Sequence, residues 1–578
     1  MSRSWDAIVV GGGPAGCAAS TILSRWGRRV LLIERERFPR YHPGESLAPA
    51  SWKVFDAMGV GERVAAAGFV LKSGSTFVWG PRRDRWSVYY GPLTERPPAL
   101  QVRRDELDHL LLRHASDCGV AVREGCRATG LVTVADRVVG VRFQAHGGHD
   151  ETAEAPWLLD ASGTNGFVAR RLGLLEFEPD LANAAAWGYW EGGGRLPGRE
   201  SGNTLCTDDE HGMTWHLPLD DRTGLACVGA LVLPAATPLL RREPRHLYQR
   251  MLRRSDVLSA LLDGASQVGP FRVAPAGAYC ASRLAGPGWL LLGDAACFVD
   301  PVIAGGVQLA LHHAVVAAVV ANTVLEEPGV EVEAAALYDR TYRQQYDAFA
   351  RVARNVYRPA PSRPAGEDAA APVEAAAPPG AASQAMPEGL GDRVSLLSLV
   401  SGLPVPALLR AVGEHIARRG RAAERGGAAV TLGEEEGFAF LTRVFHAERL
   451  ATNRARRVGE ELGDDSVVRL APGAALGAQL FLPPEGGRRL VRRRAAANRY
   501  GDRFQLDRDL ERLLSSLDGG CPCSDVERRL GMVSEGDEAG RVAFRRWLEV
   551  LADQALIEWH RPDGPPPLRL EEDIACAG

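Results

Sequence analysis

Short apolar runs alternate with helical patterns over the first third of the chain. Ala7-Ile8-Val9-Val10 is β-branched and apolar, and Gly11-Gly12-Gly13-Pro14-Ala15-Gly16 follows at once. An Ala/Leu-bearing segment from about Cys17 to Ser24 reads as a helix, and Val30-Leu31-Leu32-Ile33 as the next strand. Helices are expected over about Pro49–Met58 and from Gln101 on, where Leu107, Leu110, Leu111 and Leu112 recur at helical spacing. Phe69 to Gly80 predicts strand, bend and strand, and Leu131 to Phe143 predicts two strands joined at Ala135-Asp136-Arg137. Trp157-Leu158-Leu159 and Trp289-Leu290-Leu291-Leu292 are apolar strands that end in Asp or Gly-Asp. Between them, Trp187 to Leu233 alternates as β-structure, with Trp187, Tyr189 and Trp190 as candidates for a pocket wall. A long Ala/Val/Leu helix runs to about Leu325. Residues 358–392 are rich in Pro and Ala and read as a flexible linker, residues 393–465 as amphipathic helix, and residues 500–562 as three short helices. No internal repeats occur.

The pattern predicts an α/β protein in three parts. Residues 1–357 form a Rossmann-like nucleotide-binding domain with an inserted β-sheet substrate domain (about 70–100 and 170–280). The linker follows, then a mainly helical C-terminal region over 393–578.

Composition narrows this only slightly. The 578 residues are 46% hydrophobic and 24% charged, with 68 basic against 72 acidic side chains and a net charge of −4. That balance gives no case for nucleic acid or a membrane surface. No apolar run approaches the ~18 residues of a membrane span. Met1 to Asp6 is polar and leads straight into the first strand, so no signal peptide is expected. Ten scattered cysteines without metal spacing (Cys521-Pro522-Cys523 lacks a second pair) point to reduced thiols, a cytoplasmic setting and no metal site.

Candidate chemistry collects at strand ends. Gly11, Gly13 and Gly16 have the spacing of a dinucleotide turn, with Pro14 and Ala15 opening the helix. Its N-terminus offers unpaired N–H groups to phosphates. Glu34, 18 residues past Gly16, stands where an acid accepts a ribose hydroxyl. The turn-rich loop around Arg40, Glu45 and Ser46, and Arg104 at a helix start, can reach a cofactor. Asp294 suits ribityl hydroxyls, and Gly305-Gly306 opens the long helix with free N–H groups for a flavin ring or an anion. Lys72 stands alone in an apolar strand, where a lysine is ordinarily an edge residue and, if desolvated, a reactive amine. Arginines between Arg488 and Arg499 form a basic run, either a solvated face or a dock for an acidic partner.

The order Gly-x-Gly-x-x-Gly, Asp160-Ala161-Ser162-Gly163, Gly293-Asp294-Ala295-Ala296 resembles the FAD-dependent monooxygenase fold of para-hydroxybenzoate hydroxylase. Within it the chain is similar to the flavin-dependent halogenases of the branch acting on phenols, pyrroles and carrier-tethered acyl groups. The matching pieces are Phe38–Leu47, Lys72–Gly80 and Gly293–Pro301, and the similarity covers about residues 1–355. It implies FAD reduced by a partner flavin reductase, and chloride or bromide converted with oxygen to hypohalite. Lys72 is then the lysine that delivers the oxidant to an electron-rich carbon in specialised metabolism. The substrate is a small molecule, free or held by an acyl or peptidyl carrier protein, whose docking site the basic run would supply. Trp215 and Pro218 match the family's W-x-W-x-I-P motif, which has Met213 for its first Trp. Phe298, Pro301, Ala304 and Gly306 match F-x-x-P-x-x-S-x-G, with Ala304 for Ser. Val307 and Gln308 stand where relatives carry Val-His. These departures lie at the expected halide site, so a flavin oxidase, desaturase or monooxygenase that uses no halide stays open.

Overall fold

The computed structural model describes residues 5–79, 84–90, 99–145, 147–299, 305–357, 467–470, 475–481, 487–497 and 503–505, with shorter stretches between 513 and 560. They divide into two compact units, residues up to 357 together with 487–490, and the remaining described residues beyond 466. The linker at 358–392 and the helices expected at 393–465 lie outside the described residues.

The first unit is built on a six-stranded sheet. Its strands run, in spatial order, Ala285–Gly286, Trp289–Leu291, Trp157–Asp160, Ala7–Val10, Val30–Ile33 and Ala121–Arg123. All neighbours are parallel except the edge pair at Ala285–Gly286. Three of the central strands, Ala7–Val10, Val30–Ile33 and Trp157–Asp160, are buried at every position. Their unbroken apolar runs reflect helices and loops on both faces of a parallel sheet. Each ends at the same edge, which brings Gly11, Glu34, Asp160 and Gly293 together although they are far apart in sequence.

Helix Pro14–Arg25 packs against the 21-residue helix Gly306–Glu326. Among the described residues this long helix is the one whose length and composition would let it cross a membrane, and most of it is buried inside the unit. Gln308, His312 and His313 interrupt its apolar run, which is why no span was expected there. Helix Glu331–Tyr357 clamps the sheet edge: Tyr338 Oη donates to the Leu291 carbonyl (2.6 Å) and Tyr342 Oη to that of Gly293 (3.1 Å). Asp294 is thereby presented from a fixed turn.

A seven-stranded sheet follows the order Ser266–Pro275, Ala184–Glu191, Leu225–Val232, Gly212–Asp220, Thr204–Asp209, Gly74–Trp79, Asp84–Tyr89. Its pairs are antiparallel except Thr204–Asp209 with Gly74–Trp79. Period-two alternation divides its aromatics. Trp187 and Tyr189 face the loop at Tyr41–Glu45, whereas Trp190 donates to Tyr248 Oη (3.0 Å) beside helix Pro244–Arg253 and the core on the other face. Trp190 is therefore no part of the pocket wall. Lys72 ends the short strand Val70–Lys72, which pairs with Ala99–Gln101.

The second unit carries strands as well as helical turns. Val467–Leu470 pairs with Cys521–Pro522 and Ile557–His560, and Val491–Ala497 lies between Ala475–Phe481 and Arg503–Gln505. Three short helices over 500–562 thus miss these strands. Arg492, Arg493 and Arg494 sit opposite Leu480, Gln479 and Ala478. Arg and Ala favour helix locally, and cross-strand pairing overrides that preference. In the first unit, Arg489 is taken up by Glu326 (3.1 Å) and Glu327 (3.2 Å) at the end of the long helix. That leaves less of the basic run to serve as a solvated face.

Candidate active site

A cavity of about 470 Å³ opens between the parallel sheet's edge and the seven-stranded sheet. Its first wall is backbone. Gly11 has φ +110°, and a Cβ there would stand 2.2 Å from the Ala161 carbonyl oxygen. Gly16 packs inward: a Cβ would meet the Gly11 carbonyl oxygen at 1.9 Å, so Gly16 shapes the turn and lines nothing. Gly13 is different, because the nearest atom to its added Cβ is Arg40 Nη2 at 3.7 Å. Gly11, Gly13, Pro14 and Ala15 line the cavity at the start of helix Pro14–Arg25. Glu34 also lines it, its carboxylate accepting the amides of Gly12 (2.6 Å) and Glu36 (2.8 Å).

The facing loop is held by buried charge. Asp108, on helix Arg104–Asp117, accepts from Arg104 Nε (2.8 Å), Arg104 Nη2 (2.9 Å) and Arg40 Nη1 (3.1 Å). Arg104 Nη1 reaches on to the Pro43 carbonyl (2.7 Å). Both arginines line the cavity, with one carboxylate between them. Burial drives His42 down to about 4, and the Arg104 charge adds to this, so the ring is neutral near pH 7. Glu45 and Ser46 lie farther along the same wall. Glu45 accepts from Tyr189 Oη (2.5 Å) and the Gly44 amide (2.9 Å), while burial pushes its carboxyl above the usual range. Trp187 Nε1 donates to Tyr41 Oη (2.8 Å), and Arg272 lies over the Tyr41 ring at 3.9 Å. These contacts join the loop to the second sheet.

At the other end, burial raises Asp294 to about 6, with Arg104 pulling the other way. Phe298, Trp215, Gly306 and Val307 complete this end of the lining. The Trp215 indole fits only because Gly229 has no side chain, since a Cβ there would meet Cζ2 at 2.0 Å. Pro218 is buried in strand Gly212–Asp220 and does not line the cavity. Gly305 is packed by Phe349, whose Cε1 would be 2.2 Å from an added Cβ, and faces a small pocket of about 10 Å³ beside Asp294. Met213 joins the apolar core with Phe77 and Trp215. Pro301 and Ala304 lie outside the described residues.

Lys72 stands behind the wall. It is 0% exposed and is not among the cavity's lining residues. Nζ donates to Ser46 Oγ (2.7 Å) and the Leu47 carbonyl (3.4 Å), and lies 5.5 Å from the Tyr90 ring centroid. Burial lowers its amine to about 7, the Cys206 thiol acting weakly in the opposite direction. The solvent-edge reading of this lysine is thus overturned.

Sequence reasoning passed over Asp108, Thr204 and Gly229. Arg104 and Asp108 are one helical turn apart, a readable pair whose burial is not readable. The chain has two lysines, Lys53 and Lys72, among 68 basic residues. Arginine cannot lose its proton, whereas a buried lysine can, so Lys72 is the one of the two lysines, Lys53 being exposed, whose amine burial can bring to its neutral form.

The wall fits a flavin dinucleotide. Open space at Gly13 lies beside a helix start and two arginines for the pyrophosphate, Glu34 ends the second strand for the ribose, and Asp294 closes the far end for a ribityl chain. Among the described residues no cluster of His, Cys, Asp and Glu could hold a metal ion.

Comparison with known proteins agrees. A family model described as an FAD binding domain matches residues 4–332. A tryptophan 2-halogenase of Chondromyces crocatus is 33% identical over 362 residues, 62% of this chain and 68% of that protein. The flavin-dependent halogenase armH4 of Armillaria mellea is 31% identical over 61% of this chain and 71% of its own. Among solved structures, the myxobacterial chondrochloren halogenase CndH superposes with a TM-score of 0.57 at 35% identity, over 61% of this chain and 82% of that one. CmlS, a flavin-dependent halogenase, superposes at 0.67 over 98% of both chains at 24% identity, so the fold likeness extends through the C-terminal unit.

Proposed function

The chain belongs to the flavin-dependent halogenase family, FAD-binding oxidoreductases, and on that premise we propose that it halogenates an electron-rich aromatic or activated acyl substrate with chloride or bromide. Reduced FAD, delivered by a separate flavin reductase, supplies the electrons with which dioxygen oxidises the halide to hypohalous acid. The rest is work for this chain's side chains. Gly13, the helix start, Arg40 and Arg104 hold the pyrophosphate, Glu34 the ribose and Asp294 the ribityl hydroxyls. Gly306 and Gly305 open a 21-residue helix whose dipole favours an anion, and we assign the halide to that end. Lys72 receives the hypohalous acid from behind Ser46, whose rotation would open Nζ to the cavity, and the burial of the amine excludes water that would dissipate the oxidant.

The observation that supports this reading best is the environment of Lys72. A fully buried amine bonded to uncharged oxygens, and lowered to about 7 by desolvation, has its neutral form within reach near neutral pH. A neutral amine can accept a hydrogen bond from hypohalous acid or react with it, which an ammonium cannot. The acceptor substrate is an electron-rich aromatic such as a phenol or pyrrole, or an activated acyl group, free or carrier-tethered, of a specialised-metabolite pathway.

The test is a product mass. The full chain is supplied with FAD, a flavin reductase, NADH, air, and chloride or bromide over free and carrier-loaded phenols and pyrroles. A halogen isotope pattern that disappears in Lys72→Ala is expected. A gain of one oxygen or a loss of two hydrogens, indifferent to halide, would overturn the reading in favour of a halide-free oxygenase or desaturase.

A further inference from the structure

Lys72 reaches the cavity only through other side chains. Ser46 Oγ accepts from Lys72 Nζ (2.7 Å) and lies 3.2 Å from Thr204 Oγ1, and both hydroxyl residues line the cavity. Thr204 Oγ1 accepts in turn from Gln101 Nε2 (2.9 Å). The same nitrogen points at the Gly202 carbonyl (3.3 Å), which can only accept, and this fixes the amide's orientation. Counting protons gives a definite result. Lys72 donates to Ser46, Gln101 donates to Thr204, and one hydroxyl donates to the other. Whichever way that last bond runs, one O–H hydrogen is left over, on a residue that faces the cavity.

We propose that Ser46 and Thr204 are positioning residues for Lys72, a hydroxyl pair that holds Nζ at the cavity wall and passes its proton to and from the cavity. The oxygens thereby serve the amine, in contrast to the flavin-contacting role expected for Ser46. In the outward step a proton leaves Nζ for Ser46 Oγ. Where Ser46 carries the spare hydrogen, Ser46 releases it to a water molecule in the cavity; where Thr204 carries it, Ser46 passes its own proton to Thr204, which releases the spare one to the water. The lysine becomes neutral, the water becomes hydronium, and both hydroxyls end with one hydrogen each. The reverse step restores the ammonium. Lys72's chemical use rests on the halogenase reading above; the link to Ser46 and Thr204 does not.

Two lysines make the link directly measurable. In full-length protein grown on lysine carrying ¹³C at Cε, two side-chain signals are expected, from exposed Lys53 and buried Lys72. Their pH midpoints can be read without flavin, halide or substrate. Ser46→Ala removes an acceptor of the ammonium while the burial persists, so the Lys72 midpoint should fall by about 0.5–1 pH unit, with Lys53 unmoved. Ser46→Thr keeps the hydroxyl and should restore it, which separates the effect from misfolding. In turnover, Thr204→Val should lower kcat roughly tenfold at unchanged substrate KM, and Thr204→Ser should recover it. A Lys72 midpoint indifferent to Ser46→Ala would overturn the proposal. If wild-type enzyme makes no halogenated product but the midpoint moves, the functional reading fails and the hydroxyl link stands.

Discussion

The two walls of the cavity solve the same problem with different materials. The wall from Gly11 to Gly16 is backbone: its requirements are steric, set by carbonyl oxygens 1.9 to 2.2 Å from where side chains would begin. The facing wall is buried ionisable side chains, with Asp108 between two arginines, Glu45 under Tyr189 and Lys72 behind Ser46. Backbone geometry is blind to pH, whereas a buried ionisable group is not. Substitutions should therefore divide into those that act equally at every pH and those whose size depends on it.

The largest effect is expected at Asp108. Its side chain is 0% exposed and Arg104's is 4%, so Asp108→Asn leaves two guanidiniums without their shared counter-charge. Breaking one side of a buried pair costs about 3–5 kcal/mol. Thermal unfolding should show this loss, and a change below about 1 kcal/mol would contradict the view that charge holds this wall.

Lys72→Met should act in the opposite direction. The folded amine titrates near 7, below the ordinary value of 10.5, so folding penalises the ammonium. The penalty is full below about 7, shrinks as pH rises and is gone above about 10.5. Methionine fills similar space without charge, so the variant should be more stable by up to about 4 kcal/mol at pH 6 and little changed at pH 10.5. It should make no halogenated product. Unfolding at the two pH values measures the difference; equal stability at both would mean the amine is not desolvated.

The same contrast explains what was legible in the sequence. The glycine turn is local, and its steric logic forces a fixed spacing that can be recognised within 6 residues. The charged wall is assembled across the chain: Ser46 meets Thr204 158 residues away, and Glu45 meets Tyr189 144 residues away. Nothing near Ser46 announces Thr204, and the strand that carries Thr204 gives only a period-two signal. The family motif brought out Lys72; the scarcity of lysine alone points equally to exposed Lys53. Pro218 and Gly305 went the other way. Pro218 matches a motif position yet is buried in its strand, because a motif preserves backbone shape as well as contacts, and Gly305, expected as a helix start open to a ligand, is packed by Phe349.

Within the backbone wall, Gly16→Ala should cost about 3 kcal/mol at every pH, since its Cβ displaces a carbonyl that cannot move independently of the turn. The protein should purify without yellow colour. Retention of stoichiometric FAD would show that the turn adjusts.

Gly13→Ala is the smallest expected change and the sharpest. Gly13 has φ −74°, which any residue adopts, and its added methyl finds nothing nearer than Arg40 Nη2 at 3.7 Å. The apoprotein should therefore unfold within about 0.5 kcal/mol of wild type. The methyl occupies space that the pyrophosphate needs, so FAD affinity should fall by roughly tenfold or more, as for loss of about 1.4 kcal/mol. Two substitutions of the same kind, three residues apart, would then separate cleanly: position 16 is glycine for the fold and position 13 for the ligand. Equal FAD affinity in Gly13→Ala and wild type would place the phosphates elsewhere along the cavity, nearer Arg40 and Arg104, and would move this part of the site from the backbone wall to the charged one.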